Sequence, residues 1–140
     1  MKKKGQTKIH LLNQQNQYRL PLKQLTRQLN YLAHLEPLPH SEINFIFLTA
    51  KAISTLNRRY LNHSGPTDVI TFQHGEIFIC PAIAYRQSKK HQLTFARELL
   101  LYAIHGWLHL HGFNDKTSSQ SRLMHLYQNQ LLEKLSCQPL

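Results

Sequence analysis

The segment from His105 to Asp115 reads HGWLHLHGFND and concentrates residue types that bind a divalent metal. On an α-helix, residues four apart differ by about 40° around the axis and about 6 Å along it, so the imidazoles of His105 and His109 can converge on one cation. Zinc takes imidazole nitrogen at about 2.0–2.1 Å and keeps three protein ligands where a fourth position stays open, so a third ligand is needed. His111 follows His109 by two positions and points about 200° away from it around the helix. Gly112 can take the positive φ that ends a helix and turns the chain back, which returns Asp115 toward the histidine face. Asn114 is the rival, although a neutral amide is a poorer zinc ligand than a carboxylate. The expected site is one zinc ion per chain on His105, His109 and Asp115.

The neighbouring residues narrow what such a site could do. A zinc peptidase of the HExxH type carries a glutamate general base directly after its first histidine, and residue 106 here is glycine, which argues against ordinary peptide-bond hydrolysis. Seventeen Lys and Arg against seven Asp and Glu give a formal charge of +10 and an isoelectric point near 9.9, which favours a polyanionic partner, RNA or DNA. Arg58, Arg59, Arg86, Lys89 and Lys90 are the candidates for phosphate contacts. No apolar run approaches the roughly 20 residues of a membrane span, and no apolar stretch follows the basic start MKKKG as in a signal peptide. The expectation is a cytoplasmic protein without a membrane partner. Cys80 and Cys137 share no CxxC spacing, so a metal would fall to histidine and carboxylate.

The elements that must position these residues follow from periodicity and capping signals. Thr7 to Leu12 suits an opening strand, and Pro21 suits the first turn of a helix to about Leu35 with Leu22, Leu25, Leu29 and Leu32 as its apolar stripe. Ile43 to Leu48 is a buried strand by its branched and aromatic content, and Thr49 can cap a helix whose inward face is Ile53, Leu56 and Tyr60. Asp68 to Phe72 and Glu76 to Cys80 flank Gln73-His74-Gly75, the pattern of a hairpin. Pro81 opens a helix that becomes basic, Thr94 or a near neighbour starts the apolar helix that runs to about His111, and the segment beginning at Thr117 to Ser121 forms a last helix with a stripe of Leu123, Met124, Tyr127, Leu131 and Leu135. The predicted class is α/β (α+β): a mixed sheet of about four strands packed with about five helices. Residues 1–140 are expected to form one domain, with 1–5 loose.

Placed on these elements, the residues resemble the YbeY family of bacterial metal-dependent endoribonucleases. HGWLHLHGFND is similar to the family's HGxLHLxGYDH, with Glu98 upstream. Gly65-Pro66-Thr67-Asp68-Val69-Ile70-Thr71-Phe72 resembles its PTDVLSF strand, Gly75-Glu76-Ile77 its GDI, and Leu56-Asn57 with Tyr60 its LNxxYR. The likeness runs in order over about residues 43 to 131. It implies a metzincin-like metal helix and a zinc site completed after the glycine turn. It also implies single-strand-specific RNA cleavage, in small-subunit ribosomal RNA 3′-end maturation and ribosome quality control. Two positions depart from the pattern: the family's third histidine is Asp115 here, after Asn114, and its arginine is Leu61. Arg59, just upstream, is the candidate to replace that arginine. Its loss also supports a reading of another class, an RNA- or ribosome-binding assembly factor with weakened or lost hydrolysis.

Overall fold

A computed structural model describes residues 6–137; the start expected to be loose, 1–5, lies outside that range. Its strands are β1 (Lys8–Gln14), β2 (Glu42–Leu48), β3 (Val69–Phe72) and β4 (Glu76–Ile79). Its helices are α1 (Leu22–Leu35), α2 (Ala50–Leu61), α3 (Pro81–His91), α4 (Phe95–Leu110) and α5 (Ser118–Ser136). The four strands lie in the order β1-β2-β4-β3, with β2 parallel to both β1 and β4 and β3 antiparallel to β4. This is the α+β arrangement the sequence predicts.

The sheet order follows from what each strand can bury. Parallel neighbours need a crossover, and α1 supplies it between β1 and β2. β2 is buried along most of its length, as a central strand covered on both faces must be. The hairpin closes through Gly75 N–H donating to Phe72 O at 3.0 Å, and it leaves β3 as an edge strand paired only with β4. One face of the sheet packs Phe45, Phe47, Ile77 and Ile79 against α1, α4 and α5; the other packs Ile46, Leu48 and Ile70 against Ile53 of α2.

The helix α4 is held at both ends and in its middle. Thr94 accepts from Arg97 N–H at 3.1 Å as its N-cap. Trp107 is fully buried, parallel to Phe45 with 6.4 Å between ring centroids, and its indole N–H donates to Glu36 O at 2.8 Å. Thr49 caps α2, and Thr117 with Gln120 forms a capping box on α5.

Three sequence expectations are corrected. Pro21 stands one position before α1 rather than in its first turn. Tyr60 does not face inward: it is 57% exposed, with its ring edge-on to Phe72, the last residue of β3, and the Arg59 guanidinium over it. The inward place beside Ile53 goes to Asn57, whose amide donates to Gly65 O at 3.0 Å. Leu123 is 60% exposed since it lies about 100° around α5 from Met124; Gln128 and Leu132 take the inward positions instead.

Candidate metal centre

α4 brings His105 and His109 to the side of the sheet because its backbone touches the sheet at Gly106. A Cβ at that position would meet Ile77 Cγ2 at 2.6 Å and Thr71 Oγ1 at 2.9 Å, so only glycine lets the helix lie this close. The glycine that separates this chain from HExxH peptidases therefore has a packing cause: side chain 106 would point into the sheet.

The turn after α4 completes the cluster. Gly112 has φ +106, Gly112 N–H donates to His109 O at 3.1 Å, and Phe113 N–H donates to Leu108 O at 3.0 Å, which together make a Schellman turn. Phe113 then stacks on Tyr127 of α5, with 5.6 Å between centroids, fixing where the chain leaves the helix. The ligand atoms of His105, His109 and Asp115 all lie within 4.8 Å of one another. His111 is elsewhere, with Nε2 3.5 Å from Glu36 Oε2, and Asn114 turns its side-chain oxygen to Lys116 N–H at 3.2 Å.

Hydrogen bonding fixes the imidazole tautomers. His105 Nδ1–H donates to Gln128 Oε1 at 2.7 Å and His109 Nδ1–H donates to Phe113 O at 3.1 Å, since both partners are oxygens that only accept. Each neutral ring is thereby left with a lone pair on Nε2, and the two Nε2 atoms face each other at 3.0 Å. Two lone pairs repel at this distance, and a cation between them removes the conflict. Two ligands of a tetrahedral zinc at about 2.0–2.1 Å stand about 3.3 Å apart, close to the spacing found. Burial pushes the His105 pKa below the ordinary histidine value; Gln128 opposes this, the neighbouring His109 imidazole adds to it electrostatically, and Asp68 and Asp115 oppose it. Protonation is thus a poor way to relieve the contact, and a divalent ion fits the site.

Gln128, 5% exposed, was not singled out from the sequence as part of this site. Its signal was present as a polar residue on the inward stripe of α5, but its contact with His105 spans 23 positions. Oxygens that orient metal-bound imidazoles cost about 10–100-fold in metal affinity when lost. Gln128→Leu, close in volume, is expected to weaken zinc binding within that range while α5 stays folded, as read by chelator competition alongside circular dichroism.

The cluster opens into a cleft of about 370 Å³ that runs along β3, with Asp68, Leu61 and Gln73 in its wall. Leu61, where the resemblance places the family's arginine, thus gives the cleft an aliphatic surface. Asp68 is a second residue whose role the sequence did not reveal; its Oδ1 accepts from Val69 N–H at 2.8 Å and from Thr67 Oγ1–H at 3.3 Å. The basic candidates do not line this cleft. Arg58 borders a separate cleft of about 390 Å³ with Lys51 and Ser64, Arg59 lies over the Tyr60 ring, and Arg86, Lys89 and Lys90 are exposed on α3.

A helix presenting two histidines beside the edge of a mixed sheet, with a carboxylate returned by the following turn, defines an α+β protein with a His-His-Asp cluster that could hold a metal ion. Comparison with known proteins gives the family: the profile described as Endoribonuclease YbeY matches residues 3–136, and the chain belongs to that family. It is 34% identical over 116 residues to Endoribonuclease YbeY of Thermotoga neapolitana, covering 76% of this chain and 77% of that one. It is 35% identical over 95 residues to the Elusimicrobium minutum protein of the same name, covering 59% of this chain and 66% of that one. With the Thermotoga petrophila relative the shared region spans 59% of the relative's length, so some relatives are matched over less than two thirds. The solution structure of TM1509 from Thermotoga maritima superposes with a TM-score of 0.69 at 30% identity, covering 91% of this chain and 88% of that one.

Proposed function

We propose that this chain is a zinc-dependent endoribonuclease that cuts single-stranded RNA in the cytoplasm, acting in small-subunit ribosomal RNA 3′-end maturation and ribosome quality control. The observation that carries this is the pair of Nε2 atoms of His105 and His109 facing each other at 3.0 Å in a cleft of a strongly basic protein. His105, His109 and Asp115 hold the ion, while Gln128 and the Phe113 carbonyl keep both imidazoles in the metal-binding tautomer. When bound, zinc supplies Lewis-acid polarisation of a phosphate oxygen and a water of lowered pKa. Asp68, braced at one oxygen by Val69 N–H, is the carboxylate of the wall left to take a proton from the attacking group. Net positive charge draws the RNA backbone to the surface, with Arg58, Arg59, Arg86, Lys89 and Lys90 contributing phosphate contacts outside the cleft.

The second reading, an RNA- or ribosome-binding assembly factor without hydrolysis, is favoured by Leu61 alone, which puts no cation where the family pattern has one. Zinc-loaded protein incubated with small-subunit ribosomal RNA carrying its 3′ extension separates the two. Cleavage within unpaired segments, abolished by chelator, is the expected result. RNA bound but left intact would establish the assembly-factor reading instead.

A further inference from the structure

We infer that an unpaired nucleobase of the RNA stacks on an aromatic platform of Tyr60, Phe72 and His74 at the rim of the metal cleft. This rests on the proposal that the cleft receives RNA. Tyr60 is a large aromatic side chain left 57% exposed at the end of α2. Its ring meets Phe72 edge-on at 5.7 Å, Phe72 stacks on His74 at 5.9 Å, and Phe78 braces Phe72 from the sheet at 5.7 Å, also edge-on. The rings are thus held before any ligand arrives, so ordering them costs little on binding.

Its location ties the platform to the site. Leu61, next to Tyr60, and Gln73, between Phe72 and His74, both line the metal cleft, while Phe72 packs on the α2 side of the sheet, so a strand that leaves the cleft around the β3 edge reaches the rings. Leu61 is itself 44% exposed and extends the apolar surface.

Charge selects the occupant. The Arg59 guanidinium lies 5.7 Å from the Tyr60 ring centroid and Arg58 is exposed beside it, while Glu76, an acid close by, is engaged by His74 Nε2 at 2.6 Å. Exposed aromatic faces beside arginines suit a polyanion whose bases have free π-faces. Only unpaired bases offer such faces, because in a duplex they are covered by their neighbours.

The test is fluorescence-anisotropy binding by the full zinc-loaded chain. The ligands are a short unstructured 2′-O-methyl RNA, which resists cleavage, and the same strand made abasic; Tyr60→Ala and Tyr60→Trp are compared with the unaltered protein. Tyr60→Ala is expected to weaken binding of the base-bearing strand about 5- to 100-fold, with little change for the abasic one. Tyr60→Trp should retain affinity, which shows that the site tolerates substitution and needs a ring. Equal affinity of Tyr60→Ala and unaltered protein, or equal losses on both strands, would overturn the platform. Intact cleavage alongside that result would leave the nuclease proposal standing. Tyr60-dependent binding with no cleavage of ordinary RNA would keep the platform and reject the nuclease.

Discussion

Substituting His109→Ala is expected to cost the chain its metal and, with it, cleavage of single-stranded RNA. Structural zinc sites with four ligands bind with about 10–16 kcal/mol, roughly 3 kcal/mol per ligand, so removing one ligand weakens affinity by roughly 10²- to 10³-fold. His109 is the residue to remove because its loss also strands the Phe113 carbonyl that oriented it. Asp115→Ala should cost less, since this carboxylate is exposed and water can take its place. Competition against a chelator of known affinity measures both, and gel analysis of ribosomal RNA fragments reads cleavage. If the His109→Ala protein cleaves as well as the unaltered one, the nuclease assignment fails. Affinity should also fall with pH, because a proton and the ion compete for Nε2. The lowered pKa of His105 moves its share of that loss to more acidic pH than an ordinary histidine would show.

Gly106→Ala carries the second large effect, and it comes from packing. The added methyl would sit 2.6 Å from Cγ2 of the fully buried Ile77 and 2.9 Å from Thr71 Oγ1. Overpacking of this kind costs about 1–3 kcal/mol, and the closeness of both contacts places this case near the upper end. Relief requires α4 to move off β3 and β4, which would shift His105 against Gln128 and strain the turn that Phe113 anchors on α5. A melting temperature lowered by several degrees and a weaker hold on zinc should therefore appear together. A thermal denaturation curve that matches the unaltered protein would mean that the sheet yields freely and that close approach does not set the site. Gly106→Glu should be worse still, so a peptidase-like base cannot be restored by that one change.

The portion of this protein legible in its sequence is the portion governed by local rules. The i,i+4 spacing of His105 and His109, the helix stop at Gly112 and the return of Asp115 all lie within eleven residues, and helical period and capping chemistry decide them. Thr49 as an N-cap, helix starts near Thr94 and Thr117, the hairpin ending at Gly75 and the four-strand, five-helix composition were accessible for the same reason. Net charge, being a sum, was also plain. Tertiary structure decided whatever depends on which surfaces meet. Gln128 reaches His105 only because α5 packs on α4, and Asp68 joins the cleft only because β3 is the sheet edge beside those histidines. Tyr60 matched the inward period of α2 yet stands exposed, because periodicity says which way a side chain points and not what packs over it. The five basic residues were visible as charge, but their placement outside the metal cleft was not, since a charge on a helix surface carries no record of what that surface faces.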